Sequence, residues 1–181
     1  GSVVVVGSDK GDVLAFDTNG TALWATKVGS EVISPPKTAD GTVVVFSGDG
    51  RVYGLSTQDG SRRWVYQRAN PPLIVRNYAG AVIERGAVFF GTAGGRLLGL
   101  DLATGTVGWE AAIATPKGAT ELERIADVTS LPTIDERYAC ATAYQGRTGC
   151  FDVVRGTPVW SRDIGSLGGI AIDAKNLYVT D

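Results

Sequence analysis

Gly94-Gly95-Arg96-Leu97-Leu98-Gly99-Leu100-Asp101-Leu102-Ala103-Thr104-Gly105-Thr106-Val107-Gly108-Trp109 is the stretch that decides the fold. Residues 97–100 are apolar and read as a strand, 101–105 carry turn chemistry, and Val107 and Trp109 alternate with small residues as a second strand. The same spacing recurs in Gly20-x-x-x-Trp24, Gly60-x-x-x-Trp64 and Gly156-x-x-x-Trp160, so the register accounts for all 4 tryptophans. Asp17, Ser56, Asp101 and Asp152 begin the equivalent turns, and Gly11, Gly50, Gly95 and Gly146 open the units. The chain is a repeat array.

Working outward, each unit divides into short strands. The units span 3–27 (partial), 32–67, 79–112, 130–162 and 169–181 (partial). Complete units hold four strands, and tryptophans recur 40, 45 and 51 residues apart. That is the period of one propeller blade, which buries its faces only against neighbouring blades. The expected fold is all-β, a β-propeller of four-stranded antiparallel blades, here roughly half a propeller. Innermost strands are expected over 32–38, 81–84 and 130–134, and residues 119–126 have room for a helical turn or two. The first unit begins inside a strand and 177–180 ends in mid-motif, so the chain reads as a piece of a longer protein, with Gly1-Ser2 as an appended remnant. Open strand edges at 1–6 and 177–180 predict self-association, two copies together supplying eight Gly-x-x-x-Trp units.

Composition narrows the function. The 181 residues are 44% hydrophobic and 20% charged with a net charge of -2, which gives no electrostatic case for nucleic acid or an anionic membrane. The sequence has no histidine, which removes the commonest general base and zinc ligand. Asp17, Asp101 and Asp152 recur because each caps a turn, not because they form an acidic site. Trp24, Trp64, Trp109 and Trp160 read as structural plugs between blades, not as a ligand cage. Asp9 and Asp49 are too sparse for a calcium loop, and 91–95 leads into a strand and not a helix, so it is no phosphate cradle. No metal, cofactor or catalytic set is expected. Cys140 and Cys150 flank the Tyr144–Arg147 turn. A three-residue loop sets them opposite one another and a two-residue loop offsets them by one. Apolar residues at the matching places of other units favour free, packed thiols over a disulfide.

Repeat length varies in one place. From opening glycine to tryptophan the count is 13 in the first unit and 14 in the others, and nearly all extra length lies between blades, at 68–80 and 113–129. Consecutive long connections emerge from one face, where repeat proteins bind partners.

The Asp-x-x-Thr-Gly-x-x-x-Trp pattern of 101–109 resembles the repeat of quinoprotein dehydrogenases and their non-enzymatic relatives. Gly118-Ala119-Thr120-Glu121-Leu122-Glu123-Arg124-Ile125-Ala126-Asp127-Val128 is similar to the matching loop of the BamB family of outer-membrane assembly lipoproteins, and Pro72-Leu73-Ile74-Val75-Arg76 resembles that family's Leu-x-Leu-Arg segment. The resemblance implies an eight-bladed parent, tethered by a lipid anchor outside this chain to the periplasmic face of a Gram-negative outer membrane. It further implies binding to the POTRA domains of BamA and assistance to unfolded outer-membrane proteins. By position, Leu73, Val75 and Arg76 match one half of the BamA contact, and Asp127 with Thr129 the other. Val75 replaces a leucine of the family and Thr129 an aspartate. The side chains of Arg76 and Asp127 are expected to project from one face. A quinoprotein dehydrogenase fragment, which needs cofactor and calcium ligands, and a generic propeller interaction module are the alternative readings.

Overall fold

The computed structural model describes residues 3–69, 73, 79–173 and 175–180. Its strands are β1 (Val3–Gly7), β2 (Asp12–Asp17), β3 (Ala22–Lys27), β4 (Lys37–Ala39), β5 (Thr42–Phe46), β6 (Arg51–Ser56), β7 (Arg62–Gln67), β8 (Val82–Glu84), β9 (Ala87–Thr92), β10 (Arg96–Asp101), β11 (Val107–Ala112), β12 (Thr133–Ile134), β13 (Tyr138–Thr142), β14 (Thr148–Asp152), β15 (Pro158–Arg162), β16 (Ile170–Ile172) and β17 (Leu177–Val179). They pair in chain order into sheets β1-β2-β3, β4-β5-β6-β7, β8-β9-β10-β11, β12-β13-β14-β15 and β16-β17. The fold class is thus all-β, a β-propeller built of four-stranded antiparallel blades. No helix among the described residues is long and apolar enough to cross a membrane.

The innermost strands are shorter than the sequence predicts. Of 32–38 only Lys37 onward is strand, with an isolated bridge from Val32 to Ser47, and of 130–134 only Thr133–Ile134 pairs. Pro35-Pro36 and Pro132 explain this, since proline donates no ladder hydrogen bond.

The chain forms two compact units: Gly1–Ala69 together with the Asp101–Thr106 turn, and Asn70–Leu100 with Val107–Asp181. In the first, Val13, Val28, Val43, Val45, Tyr53 and Leu55 are buried, with Val5, Trp24 and Val32 packed on them. In the second, Leu97, Ala111, Ile113, Val128, Phe151 and a run of alanines form the core, with Trp109, Ile134 and Val153 against it.

Within each unit the repeat motif explains itself. The residue opposite each tryptophan is small: Ala15, Gly54, Gly99 and Cys150 face Trp24, Trp64, Trp109 and Trp160. A β-bulge follows every one of them, at 15/16, 54/55, 99/100 and 150/151. A side chain on Gly54 would occupy the space of the Trp64 indole. The indole N–H then reaches the following blade's turn: Trp24 Nε1 donates to Thr57 O at 3.0 Å, Trp64 to Leu102 O at 2.9 Å and Trp109 to Val153 O at 2.9 Å. The turn glycine supplies the seat. Gly60, Gly105 and Gly156 all have positive φ, and a Cβ there would meet the ring of Trp24, Trp64 or Trp109. Trp64 is buried, whereas Trp24, Trp109 and Trp160 are half-buried.

The turn aspartates hold their own loops. Asp17 Oδ1 accepts from the Asn19 and Thr21 amides, Asp101 Oδ1 from Ala103, Thr104 and the Thr104 hydroxyl, and Asp152 Oδ1 from Val154 and Arg155. The Thr104 hydroxyl, then the Thr104 amide, keeps the Asp101 carboxyl below its ordinary range.

The free-thiol expectation is corrected. Cys140 and Cys150 are disulfide-bonded. Cys140 lies directly opposite Cys150, the register that the repeat also gives Val5 with Ala15 and Val44 with Gly54.

Candidate functional site

The 113–129 connection is anchored at both ends and exposed between. Ile113 and Ala114 are buried, and their amides donate to Gly95 O at 2.9 and 3.2 Å. At the far end Ala126, Asp127 and Val128 are buried again. Residues 115–124 are exposed throughout.

The exposed part is internally tied. Thr120 Oγ1 accepts from the Glu123 amide at 3.2 Å, while Glu123 Oε2 accepts from the Ala119 and Thr120 amides at 2.8 and 3.1 Å. This is the reciprocal Thr-x-x-Glu box. The Thr120 amide, then the Ala119 amide, holds the Glu123 carboxyl below its ordinary range. Arg124 donates through Nε and Nη2 to Gly118 O and Ala119 O. The helical stretch expected over 119–126 reduces to one turn, with Arg124 and Ile125 amides bonded to Glu121 O and Leu122 O. It stops because residues 126–128 are drawn into the core. Leu122, at the turn, is 68% exposed.

The 126–128 segment bridges two hairpins. The Val128 amide donates to Thr92 O at 3.2 Å, Asp127 O accepts from the Tyr144 amide at 2.8 Å, and Asp127 Oδ1 accepts from the Gly94 amide at 2.8 Å. The Val128 side chain fills the space that the missing side chain of Gly91 leaves. Asp127 is 3% exposed. Its side chain therefore does not project from the face as expected; it is turned inward to hold the β9–β10 turn. The short connection of the first unit has the same construction. Val32 donates to Ser8 O, Glu31 O accepts from Gly48, and Val32 fills the space beside Gly7. Asp127 thus stands where Glu31 stands in the repeat.

Thr129 is half-buried, and its Oγ1, like the Oγ of Ser34, Ser47 and Ser130, has no hydrogen-bond partner among the described residues. Leu73 is 40% exposed. Val75 and Arg76 lie outside the described residues. Of the predicted contact residues, the structure brings Asp127 and Thr129 together on one connection. Sequence reading missed Tyr144 and Gly94 as the seat of Asp127. The alignment of Glu31-Val32 with Asp127-Val128 carries that signal, as Thr120-x-x-Glu123 does for the turn. No cluster of three or more potential metal ligands occurs among the described residues.

A family model described as outer membrane protein assembly factor BamB matches residues 1–181. The chain is 50% identical over 181 residues to the protein of that name from Nitrosomonas eutropha, covering all of this chain and 44% of that one. It is 43% identical over 182 residues to the one from Bordetella pertussis, covering 100% and 47%. The crystal structure of BamB from Moraxella catarrhalis superposes with a TM-score of 0.85 at 28% identity, over 92% of this chain and 51% of that one. Quinohemoprotein alcohol dehydrogenase from Comamonas testosteroni gives a TM-score of 0.68 at 15% identity, over 90% and 33%, a likeness of fold alone. The chain spans about half the length of the curated relatives it matches. With blade motif, connecting loops and whole-chain similarity in agreement, the chain belongs to the BamB family of outer-membrane protein assembly factors.

Proposed function

We propose that the protein is a non-enzymatic scaffold subunit of the outer-membrane β-barrel assembly machinery. It works at the periplasmic face of a Gram-negative outer membrane, binds the POTRA domains of BamA and aids insertion of unfolded outer-membrane proteins. The observation that carries this reading is the match of the whole chain to relatives named for outer-membrane protein assembly. The proposed contact has two halves. Leu73, Val75 and Arg76 supply apolar area and a bidentate cation, the composition of an interface hot spot. Asp127 and Thr129 supply the other half. Asp127 acts there by fixing the connection, because its carboxylate is committed to the Gly94 amide. A titration of the protein with purified POTRA domains tests the proposal; saturable one-to-one binding is expected, and an absence of heat or signal change at high micromolar concentration would overturn it.

A further inference from the structure

The β13–β14 hairpin is built of smaller residues than its counterparts. Ala139, Cys140, Ala141 and Gly149 stand where the β5–β6 hairpin has Val43, Val44, Val45 and Tyr53, which are all buried. Alanine and glycine favour strands less than valine and tyrosine do, and bury less apolar area. The turn is also less favourable. The other hairpins place a glycine in the left-handed region, Gly11, Gly50 and Gly95 at φ 80°, 82° and 76°, whereas here Gln145 occupies it. The neighbouring Gly146 is needed for another reason: a Cβ there would lie 2.7 Å from the Ala114 Cβ. Yet this hairpin carries the Tyr144 amide that seats Asp127 and, through it, the exposed 113–129 connection.

We propose that the Cys140–Cys150 bond is a local clamp that substitutes for side-chain packing in this hairpin, so that the order of the 113–129 connection depends on oxidation of the two thiols. Both sulfurs belong to residues no more than 2% exposed, at paired positions that other blades fill as Val5 with Ala15 and Val44 with Gly54. The cross-link restricts the open hairpin, where the β5–β6 hairpin relies on the packing of Val43, Val44 and Val45. It forms by thiol–disulfide exchange with an oxidant of the protein-disulfide class. One cysteine thiolate attacks the oxidant's disulfide to give a mixed disulfide, and the second thiolate displaces the oxidant's remaining sulfur. The chain loses two electrons and two protons, and the oxidant leaves as a dithiol. The inference goes beyond BamA binding and holds whatever partner the face serves.

Native-state amide hydrogen exchange tests it, with the first unit as an internal control. The reporters are the Tyr144 and Val128 amides; the controls are Gly48 and Val32, which make the equivalent bonds to Glu31 O and Ser8 O. Two samples are compared with the oxidised protein: the wild type reduced in low denaturant and returned to buffer under argon, and C140V/C150A, which recreates the Val5–Ala15 pair. Exchange at Tyr144 and Val128 is expected to rise roughly tenfold or more in both, with Gly48 and Val32 unchanged. Unchanged exchange in C140V/C150A would show that apolar packing suffices, and equal loss of protection at all four amides would show that the bond acts globally. Either result overturns the proposal.

Discussion

Gly156 and Gly20 share a place in the repeat and a left-handed backbone, at φ 69° and 85°, but not surroundings. A Cβ on Gly156 would meet Trp109 Cδ2 and Cε3 at 2.7 Å, while one on Gly20 would meet nothing within 4 Å. Gly156→Ala should therefore cost about 2–4 kcal/mol, adding overpacking to the backbone penalty, and Gly20→Ala only about 1 kcal/mol. Equal shifts in urea midpoint would contradict the docking of the indole on its glycine. Trp109 also contacts Phe89, with ring centroids 5.8 Å apart. Trp109→Ala should cost about 3–5 kcal/mol, and a variant melting at the wild-type temperature would remove the packing role. Turn aspartates, tryptophans and glycines were legible because each recurs at fixed spacing. The disulfide was not, because the paired positions it occupies carry ordinary apolar residues in the other blades, Val5 with Ala15 and Val44 with Gly54, which gave no sign of a cross-link. The inward turn of Asp127 was hidden too, since an isolated acidic residue in a polar loop reads as solvated until its repeat partner Glu31 is aligned with it.

The 113–129 connection is an element with two jobs, a buried bridge and an exposed tip. Removing the Asp127 carboxylate leaves the Gly94 amide without its charged acceptor. Asp127→Ala should thus destabilise by about 1.5–3 kcal/mol and speed proteolytic cutting within 115–124. Wild-type cutting rates would contradict the bridge. The tip answers to pH. Because the folded state holds the Glu123 carboxyl below its ordinary value, the Thr120–Glu123 box is fully formed above the unfolded value and is lost as pH falls through the lower, folded one. Amide NMR shifts of Ala119 and Thr120 should titrate with a midpoint below that of an ordinary glutamate; a midpoint at the ordinary value would show the box to be open in solution. Sequence periodicity gave the strands at this scale but not their inner ends, where Pro35, Pro36 and Pro132 interrupt pairing. In the tip, where it left room for a helical turn or two, one turn forms before residues 126–128 are buried.

At the scale of the whole molecule, blade architecture was legible from spacing, because a propeller repeats one structural solution and each repeat checks the others, whereas the family was legible through the resemblance of the 72–76 and 118–128 loops. The proposed partner rests on resemblance, since a binding loop is the part of a repeat protein that does not repeat. The central proposal is that the 68–80 and 113–129 connections bind BamA. Its most direct test is calorimetric titration of the POTRA domains into the wild-type protein and into Arg76→Glu, with circular dichroism to verify that the variant keeps its fold. The account predicts one-to-one binding weakened by about 2 kcal/mol or more in the variant, roughly thirtyfold in Kd, with an unchanged spectrum. Equal affinity for the two proteins would contradict it.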